Sequence, residues 1–279
     1  MADLKLIKEL RARTGAGITD CKKALEEASG DIEKAIEILR KKGIAKAAKK
    51  ADRETKEGRV SYAENDNAVS MVLLTCETDF VARNEEFVNF TKKLAEIALD
   101  KGVKTLEELE NAEWDGTTVS QKLQEFIGKI GENMKLAGYV YYEKEGITAI
   151  YDHMNGKMVV ALSIKAEPGE KVEELKQFAK ELAVQVAANE PKYLKFSEIP
   201  AELIEKEKEI AAAADDLKNK PDHVKDKIIE GRVRKTLGQI CFLEQEHGWE
   251  NMKIAQYIDK KGKELGEKME VIKFSYLKV

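Results

Sequence analysis

Proline is nearly absent, with four in 279 residues. Few enforced breaks, together with abundant Ala, Glu, Lys and Leu, predict a high helix content. Cysteine is scarcer still. Cys21, Cys76 and Cys241 are odd in number, far apart and without a CxxC pair, which argues against a disulfide framework or a zinc site. Buried, reduced thiols are expected instead. His153, His223 and His247 are the only histidines and fall in separate predicted elements, without the spacing of metal ligands. No apolar run approaches the roughly 18–20 residues of a membrane span. The first residues carry Asp3, Lys5, Lys8 and Glu9 in an amphipathic pattern and lack an apolar signal core. A cytoplasmic protein with no membrane contact follows. Excess positive charge is missing too: 48 basic against 52 acidic side chains leave a net −4. That balance argues against a protein that neutralises many phosphates, so no direct nucleic-acid contact is expected.

The marks of common chemistries are also missing. There is no GxxxxGK loop, no GxGxxG after a strand and no GxSxG. The acidic residues could hide a carboxylate pair, but nothing nominates one. We therefore expect no enzyme, no catalytic residue, no cofactor and no bound metal, and an interaction protein is the favoured class. A small enzyme using carboxylates in an α+β cleft and a helical adaptor are the competing readings.

What is present is a sequence of punctuated periodic segments. In residues 1–45, Leu4, Ile7 and Leu10 space a first helix, and Thr14-Gly15-Ala16-Gly17 breaks it. Cys21, Leu25 and Ala28 share a face of a second helix. Asp31 is placed to cap a third, whose stripe is Ile32, Ala35, Ile36 and Leu39, with Gly43 as a stop. Residues 46–57, carrying Lys46, Lys49, Lys50 and Arg53, read as a solvated linker.

The period then switches to that of strands. Residues 58–63 and 68–76 flank Asn65-Asp66-Asn67 as a hairpin, and a helix from about Asn84 to Leu99 follows. A second cycle begins near Leu136, with Tyr139 and Tyr141 on a strand. A hairpin follows around Asn155-Gly156, then a turn at Pro168-Gly169 and a helix to about Ala188. Glu85-Glu86-Phe87, Phe90, Lys92, Leu94 and Ala95 match Glu173-Glu174-Leu175, Phe178, Lys180, Leu182 and Ala183 at a constant offset. Two related hairpin-plus-helix core subdomains are expected, 58–136 and 137–198, the latter resumed near 237–250.

Residues 199–236 space Leu203, Ile210 and Leu217 by sevens before Asn219-Lys220-Pro221 interrupts. A protruding antiparallel helical hairpin, a candidate for dimerisation, fits this stretch. Residues 251–279 form a C-terminal module of a helix and a strand, with Ile272, Phe274 and Tyr276 on one face. The fold class is α+β.

One loop stands out. Cys76 to Asn84 joins a buried strand to a helix, and side chains on such a loop can be held outward accurately. Phe80 has two readings. It is either a staple packed at the helix entrance, with Asp79 capping backbone N–H groups, or a rigid apolar wedge offered to a partner. Periodicity alone does not choose.

Longer motifs add to this reading. The run Leu10-Arg11-Ala12-Arg13-Thr14-Gly15-Ala16-Gly17-Ile18-Thr19-Asp20-Cys21-Lys22-Lys23-Ala24-Leu25 closely resembles the N-terminal signature of the elongation factor Ts family. Glu77-Thr78-Asp79-Phe80-Val81-Ala82-Arg83 resembles its second signature. Ile130-Gly131-Glu132-Asn133 looks like a third family segment, and Glu230-Gly231-Arg232 falls where the family has a similar triplet. The resemblance runs over essentially the whole chain, in order.

The resemblance implies a guanine-nucleotide exchange factor of translation elongation whose partner is the GTPase elongation factor Tu, from which it releases GDP. The N-terminal bundle would be a UBA-like domain docking on the GTPase through Ile18 and Thr19. Many family members carry two apolar residues there, so Thr19 departs from the pattern and Ile18 is the apolar contact expected. Thr78, Asp79, Phe80 and Val81 would act near the partner's magnesium ion. Ile130 and Gly131 would press near its phosphate-binding loop as a second lever. The C-terminal module would grip the partner again. A homodimer and a two-plus-two complex both stay open.

Overall fold

The computed structural model describes residues 3–166, 171–217 and 220–279. It shows mixed helix and sheet of the α+β class, opening with a helical segment. The chain divides into two compact units. The first runs to Tyr142 and takes in Met154–Met158 and Leu277–Val279; the second comprises Glu143–His153 and Val159–Tyr276.

The first unit begins with helices α1 (Leu4–Thr14), α2 (Ile18–Glu27) and α3 (Ile32–Ala48). Gly15, at φ 65°, closes α1 in the left-handed conformation that a side chain would disfavour. Asp31 opens α3 by accepting the Lys34 N–H at 3.1 Å. Ile7, Leu10, Cys21, Ala24, Leu25, Ala28 and Ala35 are the buried core of these helices. Leu4 lies outside it, 75% exposed, so the first helix buries a shorter stripe than its spacing predicts. Gly43 does not stop α3, which runs on to Ala48. The glycine serves packing instead, because it sits against Gly128 of a later helix.

Strands β1 (Glu57–Glu64) and β2 (Ala68–Cys76) pair antiparallel, with Glu64 opposite Val69 beside the turn. The Asn65 side-chain oxygen accepts the N–H groups of Asn67 and Ala68, each at 2.9 Å, which fixes that turn. Every residue of β2 is buried. Helices α4 (Asp79–Arg83), α5 (Glu85–Asp100) and α6 (Leu106–Asn111) follow, then a two-stranded ribbon of β3 (Glu113–Trp114) and β4 (Thr117–Thr118). Helix α7 (Val119–Ile130) and strand β5 (Met134–Glu143) complete this part.

Helix α5 lies on β1 and β2 and buries Phe87, Leu94, Ala95 and Ala98. Phe90 stacks on Phe126 at 4.3 Å and meets Trp114 at 4.9 Å between ring centres. Strand β5 departs from the sequence expectation: it lies beside β2 in the first sheet, whose order is β1-β2-β5. Its Met134 and Leu136 belong to the first core, and the Tyr139 hydroxyl donates to the Val103 carbonyl at 2.6 Å. These contacts hold a strand that alternation alone could not allocate to either sheet.

Strands β6 (Ile147–His153), β7 (Met158–Lys165) and β8 (Glu270–Lys278), mostly of the second unit, form a sheet in that order. Asn155 and Gly156, at φ 53° and 90°, make the β6–β7 turn. The turn expected at Pro168-Gly169 lies outside the described residues. Helix α8 (Val172–Asn189) packs on β6 and buries Leu175, Phe178, Leu182 and Ala183. Phe87, Leu94 and Ala95 of α5 are buried at the matching positions.

Helices α9 (Ala201–Ala212) and α10 (Asp222–Gly238) pack against each other. Leu217 between them is buried, Leu203 is half-buried and Ile210 is 58% exposed. The heptad spacing therefore fails at Ile210. Leu203, Ile204 and Ala211 of α9 share a hydrophobic cluster with Ile229, Val233 and Leu237 of α10. Asn219, part of the predicted interruption, lies outside the described residues. Helix α11 (Ile254–Leu265) precedes β8, where Phe274 meets Phe242 at 5.6 Å and stacks on Tyr276 at 6.4 Å between ring centres.

Candidate functional site

Phe80 projects from a turn held at both ends. It is the second residue of α4 and is 82% exposed, the most exposed large apolar side chain among the described residues. Thr78, in extended conformation, caps α4 by accepting the Val81 N–H at 3.4 Å. Asp79 does not cap. It pairs with Arg83 at 3.2 Å, one turn along the same helix. Val81 and Ala82 turn inward onto the core that Phe87 and Leu94 also build. The staple reading of Phe80 is thereby excluded: the cap and the inward residues are neighbours of the ring, and the ring stands in solvent.

The second segment meets the first. Helix α7 ends at Gly131, whose φ of 93° is a conformation side chains resist, and whose N–H returns to the Ile127 carbonyl. Ile130 is half-buried against the core, while Gly131 is exposed. Immediately beyond, Glu132 accepts the Thr78 N–H at 3.0 Å with one carboxylate oxygen and the Thr78 hydroxyl at 2.7 Å with the other. The Asn133 N–H donates to Glu77 at 2.6 Å. The Asn133 side chain, buried, donates to the Arg53 carbonyl at 2.7 Å and the Ala51 carbonyl at 3.3 Å. Lys50 reaches the Gly131 carbonyl at 2.5 Å. Residues 50–53, expected as solvated linker, are thus tied to the site.

Electrostatics follow this wiring. The Asn133 N–H, with help from the Arg53 guanidinium, holds the Glu77 carboxyl below the usual carboxylate range. Burial, reinforced by the Glu132 carboxylate, pushes the Cys76 thiol up to about 12. Cys76 donates its S–H to the Thr78 carbonyl at 3.2 Å, so it supports the turn as a neutral group. Partial burial and the Arg53 charge lower Lys50 from its ordinary value.

The third expected patch lies at the start of α2. Ile18 is 58% exposed and Thr19 is also exposed, and both follow the Gly15-Ala16-Gly17 turn. Of the residues singled out from sequence, Thr78 and Ile130-Gly131 are brought together, and Ile18 and Thr19 stand at the start of α2, just past the Gly15 turn that the Lys129 side chain covers. Glu77, Glu132, Asn133 and Lys50 were not singled out as site residues. No local pattern marked them, because the groups they bond lie 54 to 82 positions away in the sequence.

Among the described residues, no group of His, Cys, Asp and Glu could hold a metal ion. No helix among them is long and apolar enough to cross a membrane.

Known proteins resemble this chain closely. The family model for elongation factor TS matches residues 77–279. A Clostridium perfringens protein named elongation factor Ts is 43% identical over 279 positions, covering 98% of this chain and 91% of the relative. Proteins of the same name from Nitratiruptor sp. and Aquifex aeolicus are 41% and 43% identical, covering 96% and 86% of this chain and 90% and 85% of their own lengths. These likenesses put the chain among the elongation factors of protein biosynthesis. More narrowly, the chain belongs to the elongation factor Ts family.

Proposed function

We propose that the chain is a guanine-nucleotide exchange factor that binds elongation factor Tu and drives GDP out by disturbing the partner's magnesium and phosphate-binding region. The observation that carries this reading is Phe80, a bare aromatic ring on a braced single-turn helix. An apolar ring of this size gains most when it enters a partner's pocket, where such anchors dominate binding.

A GTPase holds GDP by backbone N–H groups around the phosphates and a bridging magnesium ion. Magnesium tolerates little departure from octahedral geometry, so a small displacement of its surroundings weakens nucleotide binding. In this mechanism Phe80 and Asp79 push at the magnesium side, with Thr78 and Val81 setting their position. Ile130 and Gly131 press on the phosphate-binding side. Ile18 and Thr19 dock the N-terminal helices. No covalent step falls to this chain.

Linkage sets the scale. Weakening GDP by about 10⁴-fold requires a coupling of roughly 5.5 kcal/mol, and the coupling is reciprocal. One aromatic anchor supplies ~2–4 kcal/mol. Phe80 is then the largest single contributor, and the second lever and the docking patch supply the rest.

The test is release of labelled GDP from purified elongation factor Tu with and without the chain. Stimulated release that is lost in Phe80→Ala supports the reading. An unchanged rate in the variant would remove Phe80 from the mechanism, and no stimulation by the unaltered chain would remove the function.

A further inference from the structure

We infer that Glu132 is a positioning residue that clamps the Phe80-bearing helix to the Ile130-Gly131 turn, so that the two segments act as one rigid element. The inference rests on the exchange reading above for its consequence, and on geometry for its substance.

Helix α4 has five residues and one turn. A helix so short is unstable by itself, since nucleation orders several residues for one hydrogen bond. What keeps it folded lies outside it. Thr78 supplies the cap, and Glu132 holds Thr78 by two bonds at once, one to its N–H and one to its hydroxyl. The hydroxyl therefore donates to Glu132 while it accepts from Val81. That double role fixes the hydroxyl hydrogen and orients the cap. Without the carboxylate the hydroxyl is free to turn, and the Thr78 N–H loses its acceptor.

The same carboxylate belongs to the residue directly after Gly131. A force on the 130–131 turn is thus passed through one side chain to the cap two residues before Phe80. Asn133 adds a parallel tie, from its N–H to Glu77 on the other side of Thr78. Glu132 touches neither metal nor nucleotide in this account and acts only through Thr78. Its negative charge is not the requirement. Its two acceptors are, and an amide of the same shape keeps the one for the Thr78 N–H while losing the one for the hydroxyl hydrogen, which is why it is the informative replacement.

The experiment compares Glu132→Ala and Glu132→Gln in the full chain, alone and combined with Phe80→Ala. Two measurements are made: maximal GDP release from purified elongation factor Tu, and amide hydrogen exchange at Thr78 and Val81 in the isolated chain. We expect Glu132→Ala to lower protection of both amides by about tenfold or more, as loss of a cap and its support does. Maximal release should fall by about tenfold, while the half-saturating concentration changes by less than about threefold. Glu132→Gln should keep most of the Thr78 protection, because its oxygen can accept the Thr78 N–H, and lose part of the Val81 protection, because its NH₂ cannot take the hydroxyl hydrogen. In the Phe80→Ala background, Glu132→Ala should add little, the signature of two residues acting through one element.

Unchanged amide protection in Glu132→Ala overturns the clamp whatever the release assay gives. A loss of Thr78 protection in Glu132→Gln equal to that in Glu132→Ala also overturns it, since the charge would then be the active feature. So do fully multiplicative effects with Phe80→Ala. If protection falls as expected but the unaltered chain does not stimulate release, the exchange reading fails and the role of Glu132 in exchange falls with it.

Discussion

Gly43 and Gly128 meet where α3 crosses α7, so closely that a Cβ on Gly128 would stand 2.6 Å from the Gly43 Cα. The contact is not symmetric. A Cβ on Gly43 would find its nearest neighbour, the Glu125 Cα, at an ordinary 3.7 Å. Alanine at Gly128 must push two helix backbones apart, which costs about 1–3 kcal/mol. Alanine at Gly43 meets no such obstacle and gains helix propensity of about 0.5–1 kcal/mol. Thermal or denaturant unfolding of the two variants should therefore shift in opposite directions. Equal destabilisation by both would mean that the crossing is looser than the distances indicate.

Glu77 offers a test by pH. Its folded carboxyl is held below the ordinary value, mainly by the Asn133 N–H. A depressed carboxyl contributes stability that is present above the unfolded value of about 4.3 and is lost as pH falls through the folded value. Glu77→Gln should thus lower the melting temperature relative to the unaltered chain near pH 7. The difference should shrink as pH falls below about 4. A difference that stays constant down to about pH 3 would show that the bond matters for its geometry and not for its charge.

Much of this was legible in the sequence because it rests on local chemistry. Asn65-Asp66-Asn67 and Asn155-Gly156 mark the turns that the structure shows, and the stripe at Phe87, Leu94 and Ala95 is the buried face of α5. The failures share a cause, which is that distant partners decided them. Gly43 looks like a helix stop until Gly128 is seen opposite. Strand β5 alternates well enough for either sheet, and only its place beside β2 allocates it. Ile210 fits a heptad that the α9–α10 packing does not follow. At the candidate site, the exposure of Phe80 needed the structure, because a staple and a wedge have the same residues in the same order. The bond from Glu132 to Thr78 spans 54 positions, beyond the reach of any local pattern.

The three cysteines should be nearly inert in the folded chain. All are buried, and burial pushes each thiol upward, Cys76 to about 12 and Cys241 to about 11. At about pH 8 the reactive thiolate is then scarce and shielded at each site. An aromatic disulfide reagent should label the native chain at least about 100-fold more slowly than the chain in denaturant, where all three should react. Fast labelling of one thiol under native conditions would reveal local opening at that residue.

Ile18 and Phe80 should separate docking from release. Both side chains are largely in solvent, so neither Ile18→Asp nor Phe80→Ala should change folding stability by more than about 0.5 kcal/mol. Their effects on exchange should differ in kind. Ile18 is exposed at the start of α2 and, in the proposed mechanism, contributes to binding before and during release alike. An interaction of equal strength in both states alters the concentration needed and leaves the maximal rate. Ile18→Asp should therefore raise the half-saturating concentration about tenfold or more, with maximal GDP release little changed. Phe80→Ala should do the reverse, lowering maximal release by about tenfold or more while the half-saturating concentration moves less. Measuring release over a range of chain concentrations distinguishes the two patterns. Loss of the thermal transition in Ile18→Asp would place that side chain in the bundle core, against its exposure. A pure concentration effect in Phe80→Ala would make the ring a docking anchor and leave the push to Asp79 and the 130–131 turn.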